Sequence, residues 1–189
     1  MGNGVSTEPF AATKPSSAAL LWQDAPALLS DVRLEEGRVH FTAGEGQGNA
    51  LIAVRDADGR ILWSWHIWVT DYDPSSQAPK LNGLSWMTRN LGALSDDYDE
   101  TGSAKGFVYQ WGRKDPFARN LTATRPGGKP YESASSDLEK TEDATEATGT
   151  IAYATRNPQT RLLAAKEWYV GAGGNDLLWG GTKEGSVKT

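Results

Sequence analysis

The chain has 189 residues, a formal net charge of −5, no Cys and eight Trp. That length is enough to bury a core as one large or two small domains, and the acidic balance argues against nucleic acid, whose partners usually show a basic face or stripe. The absence of Cys excludes disulfides, thiolate zinc sites, iron–sulfur clusters and thiol nucleophiles within this chain. No apolar run reaches the roughly 18 residues of a membrane span, and the opening "MGNGVSTEPF" lacks the apolar stretch of a signal peptide.

Residues 17–70 read as strands separated by turns. "AALLW" at 18–22 is the first. Val32 and Leu34 alternate before Glu35-Glu36-Gly37, and Val39 and Phe41 alternate after it, which predicts a hairpin turning at Glu35 to Arg38. Two further apolar runs flank Asp56-Ala57-Asp58-Gly59, where the acids favour turn geometry and Gly59 can take a positive φ, so a second hairpin is expected at Asp56 to Arg60. Five short strands at this spacing predict an incomplete immunoglobulin-like antiparallel sandwich over residues 1–75, against about seven strands for a complete one.

In the run from Ile61 to Thr70, Trp63, Trp65, Ile67 and Val69 share one face by period two and Leu62, Ser64, His66 and Trp68 the other. The all-apolar face is expected to be core, with Trp63 and Trp65 inside it. The second face reads either as a platform for a sugar or partner or as a surface covered by the neighbouring domain; burial is favoured, with the lone His simply hydrogen-bonded.

"DYDPSSQAP" at 71–79 combines Pro, Ser and acids, and marks a junction to a second domain over 76–189, small, mixed and loop-rich. There "LSWMTRNLGAL" and "GFVYQWGRKDPF" read as short aromatic strand-like runs joined by the acidic loop "SDDYDETGSAK". Residues 118–147, basic first and acidic after, read as a solvated excursion loop. "TGTIAYATRNP" predicts one short helix capped by Thr148 or Thr150, with Ile151 and Ala154 inward and a stop at Asn157-Pro158. "LLAAKEWYV" is ambiguous between helix and strand, and Leu177-Leu178-Trp179 forms an apolar plug in a Gly-rich end.

Chemical motifs are few. "GEGQG" at 44–48 and "GAGG" at 171–174 miss the G-x-G-x-x-G spacing and are explained as turn glycines. With two His, no G-x-S-x-G and no His pair at helical spacing, neither a serine hydrolase nor a zincin is supported. Asp97, Asp99 and Thr101 before Gly102 resemble half of a calcium loop, but Val108 stands where the bidentate Glu belongs, so a solvated turn is favoured. The "MGNGVS" myristoylation string and the Asn120-Leu121-Thr122 sequon carry meaning only with eukaryotic processing. No cofactor and no metal are expected.

The strands of residues 17–74 followed by "GLSWMTRNLGAL" and "GFVYQWGRKDPF" resemble the surface lipoproteins and fimbrillin-related proteins of gut Bacteroidetes. The second half resembles the Fibrobacter succinogenes major paralogous domain, at Gly83, Trp86, Met87, Arg89, Asn90, Leu91 and Gly92 and again from Tyr109 to Arg113, Asp115 and Pro116. Thr88 stands where the family usually has Asp, and the chain ends at Thr189 where members continue, so it reads as a fragment. The resemblance implies a non-enzymatic cell-surface or fimbria-associated adhesion module at the outer membrane, reaching the membrane only through a lipid anchor of the parent protein. Its partners would be host or bacterial glycans, surface proteins or other fimbrial subunits, with no nucleic acid. A lectin-like carbohydrate-binding module is the alternative, favoured if Trp side chains are exposed, and a partial glycosidase a distant third.

Within the matched motif, Trp86 and Trp111 can pack together, and the fork of Arg113 can hold Asp115 or a row of carbonyls across a turn closed by Pro116. A scaffold role is favoured. The functional reading is a sugar or peptide site with Trp86 and Trp111 as aromatic faces and Asn90, Gln110 and Arg113 as polar anchors.

Overall fold

A computed structural model describes residues 12–97, 103–117, 132–133, 140–165 and 167–171. The fold is mainly β. The strands β1 (Ser17–Gln23), β2 (Leu29–Glu35), β3 (Arg38–Ala43), β4 (Gly48–Arg55) and β5 (Ile61–Val69) follow one another as the alternation predicts. Both hairpins form where expected. Glu35 pairs with Arg38 across Glu36-Gly37, whose φ values of 49° and 75° are those of the primed turn that suits the strands' twist. In the other, the Asp56 carboxylate accepts from the backbone N–H groups of Asp58 and Arg60 at 3.0 and 2.8 Å, and Gly59 takes φ 82°.

The sandwich is asymmetric. One layer has the order β5-β4-β1-β8, where β8 is Glu132–Ser133; the other is the two-stranded β2-β3 hairpin. The hairpin covers one face of the larger sheet, packing Leu28, Leu29, Val32 and Val39 against Ala50, Ile52, Ile67 and Val69. The opposite face carries Leu21, Trp22, Leu51 and Ala53, and Phe107 from the second half closes over it, its ring stacked 5.4 Å from that of Trp22. Strand β4 is therefore buried on both sides through Val54, which explains its near-continuous apolar run in an antiparallel sheet.

The face assignment of β5 needs correction. Trp65 is 37% exposed and Trp63 half-buried, so neither is deep core, whereas Ser64 is only 2% exposed. The physical reason is that the hairpin does not close onto the sheet along its whole length. It packs against Ile67 and Val69 but stands off near Trp65, where a groove of about 470 Å³ opens between Val39, Phe41, Val54 and Trp65. The second face of β5 is covered by residues of the second half, as favoured from the sequence.

The junction buries Tyr72 and carries the one-turn helix α1 (Pro74–Gln77), whose N-cap Asp73 accepts from Ser75 N–H at 2.9 Å. Strands β6 (Lys80–Leu81) and β7 (Leu84–Ser85) form a small hairpin around Asn82-Gly83, with φ 52° and 78°. The two aromatic runs are otherwise loops, not strands: a bridge from Val108 to Phe117 closes the second run on itself, and Phe107 N–H donates to Leu91 O at 3.0 Å between the two. Positive φ values at Gly92, Gly106 and Gly112 turn the chain too sharply for extended pairing.

The expectation of a loop across 118–147 is corrected where it is described, at 132–133 and 140–147; the rest of that range lies outside the described residues. Besides β8, strand β9 (Lys140–Asp143) lies in it and pairs in parallel with β10 (Thr160–Leu163). Their crossover contains α2 (Ile151–Arg156), in keeping with the long connection a parallel pair requires. Thr150 is its N-cap, accepting from Tyr153 N–H at 3.1 Å, and Asn157 ends it. Ala154 faces inward as predicted, but Ile151 is 48% exposed because it sits on the first turn at the rim. The ambiguous "LLAAKEWYV" thus begins inside β10 and ends around buried Trp168.

Candidate functional site

The polar side chains of β5 meet the second half in two clusters. At Ser64, Lys114 reaches over the sheet edge. Its Nζ donates to Ser64 O and Oγ at 2.9 and 2.6 Å and to both Asp115 carboxylate oxygens at 2.7 and 2.8 Å, and lies 4.4 Å from the centre of the Trp63 ring. Ser64 Oγ donates to Asp115 Oδ1 at 2.9 Å. Burial pushes the Asp115 carboxyl up and Lys114 down, and each is pulled back by the other's charge. This geometry holds an ion pair. Ser64 is not poised as a nucleophile, because its hydroxyl bridges a carboxylate and an ammonium and its side chain is walled off from solvent.

At His66 a chain of hydrogen bonds crosses the seam. Asn49, buried on β4, donates through its backbone N–H to Asp24 Oδ1 at 2.6 Å and through Nδ2 to Asp24 Oδ2 and Gly92 O at 2.9 and 3.0 Å. With its amide hydrogens so engaged, its Oδ1 is left to accept from His66 Nε2 at 2.9 Å, which assigns the neutral tautomer with a bare Nδ1. Tyr109 donates its hydroxyl to that Nδ1 at 3.0 Å. Burial lowers the His66 pKa to about 4, and burial followed by the nearby Asp115 charge raises that of Tyr109.

Of the residues expected to form a ligand site, Gln110 and Arg113 are turned to the chain itself. Gln110 Nε2 donates to Leu162 O at 2.7 Å and its Oε1 accepts from Leu162 N–H at 3.1 Å, so it is matched to the β10 backbone like a strand neighbour. Buried Arg113 donates to Thr160 O at 2.8 Å and Asn157 O at 3.1 Å, with longer contacts to Ala154 O and Pro158 O at 3.4 Å. It thus caps the C-terminal carbonyls of α2, between the rings of Phe117 and Trp168, and burial brings its pKa to about 10. The carbonyl row foreseen for its fork is there; Asp115 pairs with Lys114 instead. Asn90 is exposed and ties its loop shut by donating to Ala104 O at 3.0 Å.

The aromatic faces are open. Trp86 is 55% and Trp111 66% exposed, and they make no ring contact with each other, so the expected packing of one on the other is not found. Trp111 occupies the corner of a tight turn in which Arg113 N–H bonds Gln110 O at 2.9 Å and Gly112 takes φ 73°, while Trp111 O accepts from Trp168 Nε1 at 2.7 Å. Beside it a cleft of about 360 Å³ is lined by Arg161, Leu163, Ala164 and Glu167.

Beside Thr88, Arg89 pairs with Asp71 at 2.7 Å and lies over the Tyr72 ring, and Tyr72 Oη accepts from Thr88 N–H at 3.1 Å. Sequence reasoning missed this clamp, as it missed Asn49, Asp24 and Lys114. Only the buried strand around Asn49 hinted at a polar group in need of partners.

The calcium half-loop is described only at exposed Asp97; Asp99 and Thr101, the sequon, the myristoylation string and the Leu177 plug lie outside the described residues. Among the described residues no three His, Asp or Glu side chains gather as a metal site, and no helix is long and apolar enough to cross a membrane. No protein-family model, curated protein or solved structure matches the chain.

Proposed function

We propose that the chain is a non-catalytic binding module of a bacterial surface protein, and that it engages glycan through the Trp111 shelf. The observation that carries this reading is a large indole, 66% exposed, carried on the corner of a hydrogen-bonded turn beside a cleft with Arg161 and Glu167 on its rim. An exposed aromatic face suits the apolar face of a sugar ring, while a charged rim supplies donors and acceptors for its hydroxyls. Adhesion as part of a fimbria-related surface protein rests on the resemblance of the Trp86 and Trp111 motifs. The test is a glycan array followed by titration of the best ligand. Trp111→Ala should weaken binding at least tenfold with Trp65→Ala near wild type, and added salt should matter little. Turnover of a glycoside, abolished by a single carboxylate substitution, would overturn the non-catalytic reading.

Scaffold without ligand is the second reading, and the engagement of Gln110 and Arg113 with their own backbone favours it. Silence of both the chain and a longer parent protein on the array would select it.

A further inference from the structure

We propose that His66 is an acid-sensitive latch, which holds residues 103–117 against the sheet while its imidazole is neutral and releases them when it is protonated. From its place on β5, His66 is hydrogen-bonded to both sides of the seam, to Asn49 of the neighbouring strand and to Tyr109 of the covering segment. Phe107, edge-on to the imidazole at 5.4 Å, is the apolar lid over Trp22. One residue thus links the polar and apolar fastenings of the same loop.

A proton added at Nδ1 points at the Tyr109 oxygen, which must then give up its role as donor. It also introduces a charge that the surroundings do not balance. Beyond Asn49 lies Asp24, which follows β1 and accepts two bonds from Asn49. On the covering segment, Asp115, bonded to Ser64 two residues back along β5, is met by both Lys114 and Arg113. That cluster carries one excess positive charge. At the far end of the strand Arg89 is matched by Asp71. A buried imidazolium there lacks a carboxylate of its own, and the open form, where His66 meets water, binds the proton more readily.

The sign is set by linkage. The folded pKa near 4 lies below the unperturbed 6.5, so the contribution of neutral His66 is complete above 6.5 and is lost as pH falls toward 4. Hydrogen exchange, corrected for the intrinsic pH dependence of the amides, reads it directly on the full chain. Protection over 103–117 should fall on the order of 100-fold more between pH 7 and pH 4 than protection in the β2-β3 hairpin. His66→Gln, which can donate and accept but does not titrate, should remove that difference. An equal loss in both regions, or the same loss in His66→Gln, would overturn the proposal. If His66→Gln does not fold, the unmodified chain decides: an imidazole NMR titration with a midpoint near 4 and loop signals shifting in step supports the latch, and a midpoint near 6.5 overturns it.

Discussion

The two faces of the main sheet are closed by different means. The β2-β3 hairpin covers its face chiefly with aliphatic side chains, joining Leu28 and Leu29 to Ala50 and Ile52 beside one buried bond from Leu29 N–H to Gln23 Oε1 at 2.8 Å, and leaves Trp65 on an open groove. The segment 103–117 covers the other with one stacked aromatic pair and two hydrogen-bonded clusters, at Ser64 and at His66. Apolar closure tolerates a loose margin, because any shape of similar volume will exclude water. Polar closure does not, because a buried group left without its partner costs more than the bond itself contributes. The polar seam is therefore where the relative position of the two halves is set, and the hairpin side is where surface can be left exposed.

The largest effect should come from the aromatic anchor of the polar seam. Trp22→Ala, at a fully buried ring, should lower stability by about 3–5 kcal/mol in denaturant melts. Arg113→Met, keeping the apolar stem but losing the bonds to the end of α2, should cost about 2–3 kcal/mol by the same measurement. Trp65→Ala on the hairpin side should cost only about 1–2 kcal/mol, since more than a third of the ring is already in water. A Trp65 loss as large as that at Trp22 would erase the contrast between the faces. Trp111→Ala should leave stability within about 0.5 kcal/mol, so that any loss of ligand binding is read as loss of contact.

Sequence alone reaches the strands and both sandwich hairpins, because period-two alternation and Glu-Gly or Asp-Gly turns are local signals. It misjudges β5 for an equally clear reason. Apolarity assigns Trp65 to the core, yet whether it is covered depends on how closely the opposing hairpin packs there, and Ser64 is buried by a residue 51 positions away. Asn82-Gly83 is a legible hairpin turn, overshadowed by the aromatic residues beside it. Strand β9, "KTED", has exposed side chains throughout and pairs in parallel, so neither alternation nor a turn announces it. At the candidate site the exposed indoles and the carbonyl-holding fork of Arg113 are within reach of the sequence, but the partners of that fork, on α2 and β10, are not.

The central claim, that residues 103–117 are seated on the polar face of β5 through specific bonds, is tested most directly by a double-mutant cycle between His66→Phe and Tyr109→Phe. Both positions keep a ring, so the cycle isolates the 3.0 Å hydrogen bond across the seam. Measured at pH 7.5 by denaturant unfolding, the two substitutions should couple by about 0.5–1.5 kcal/mol in favour of the native pair. Additivity within about 0.3 kcal/mol would contradict a seam held by that bond.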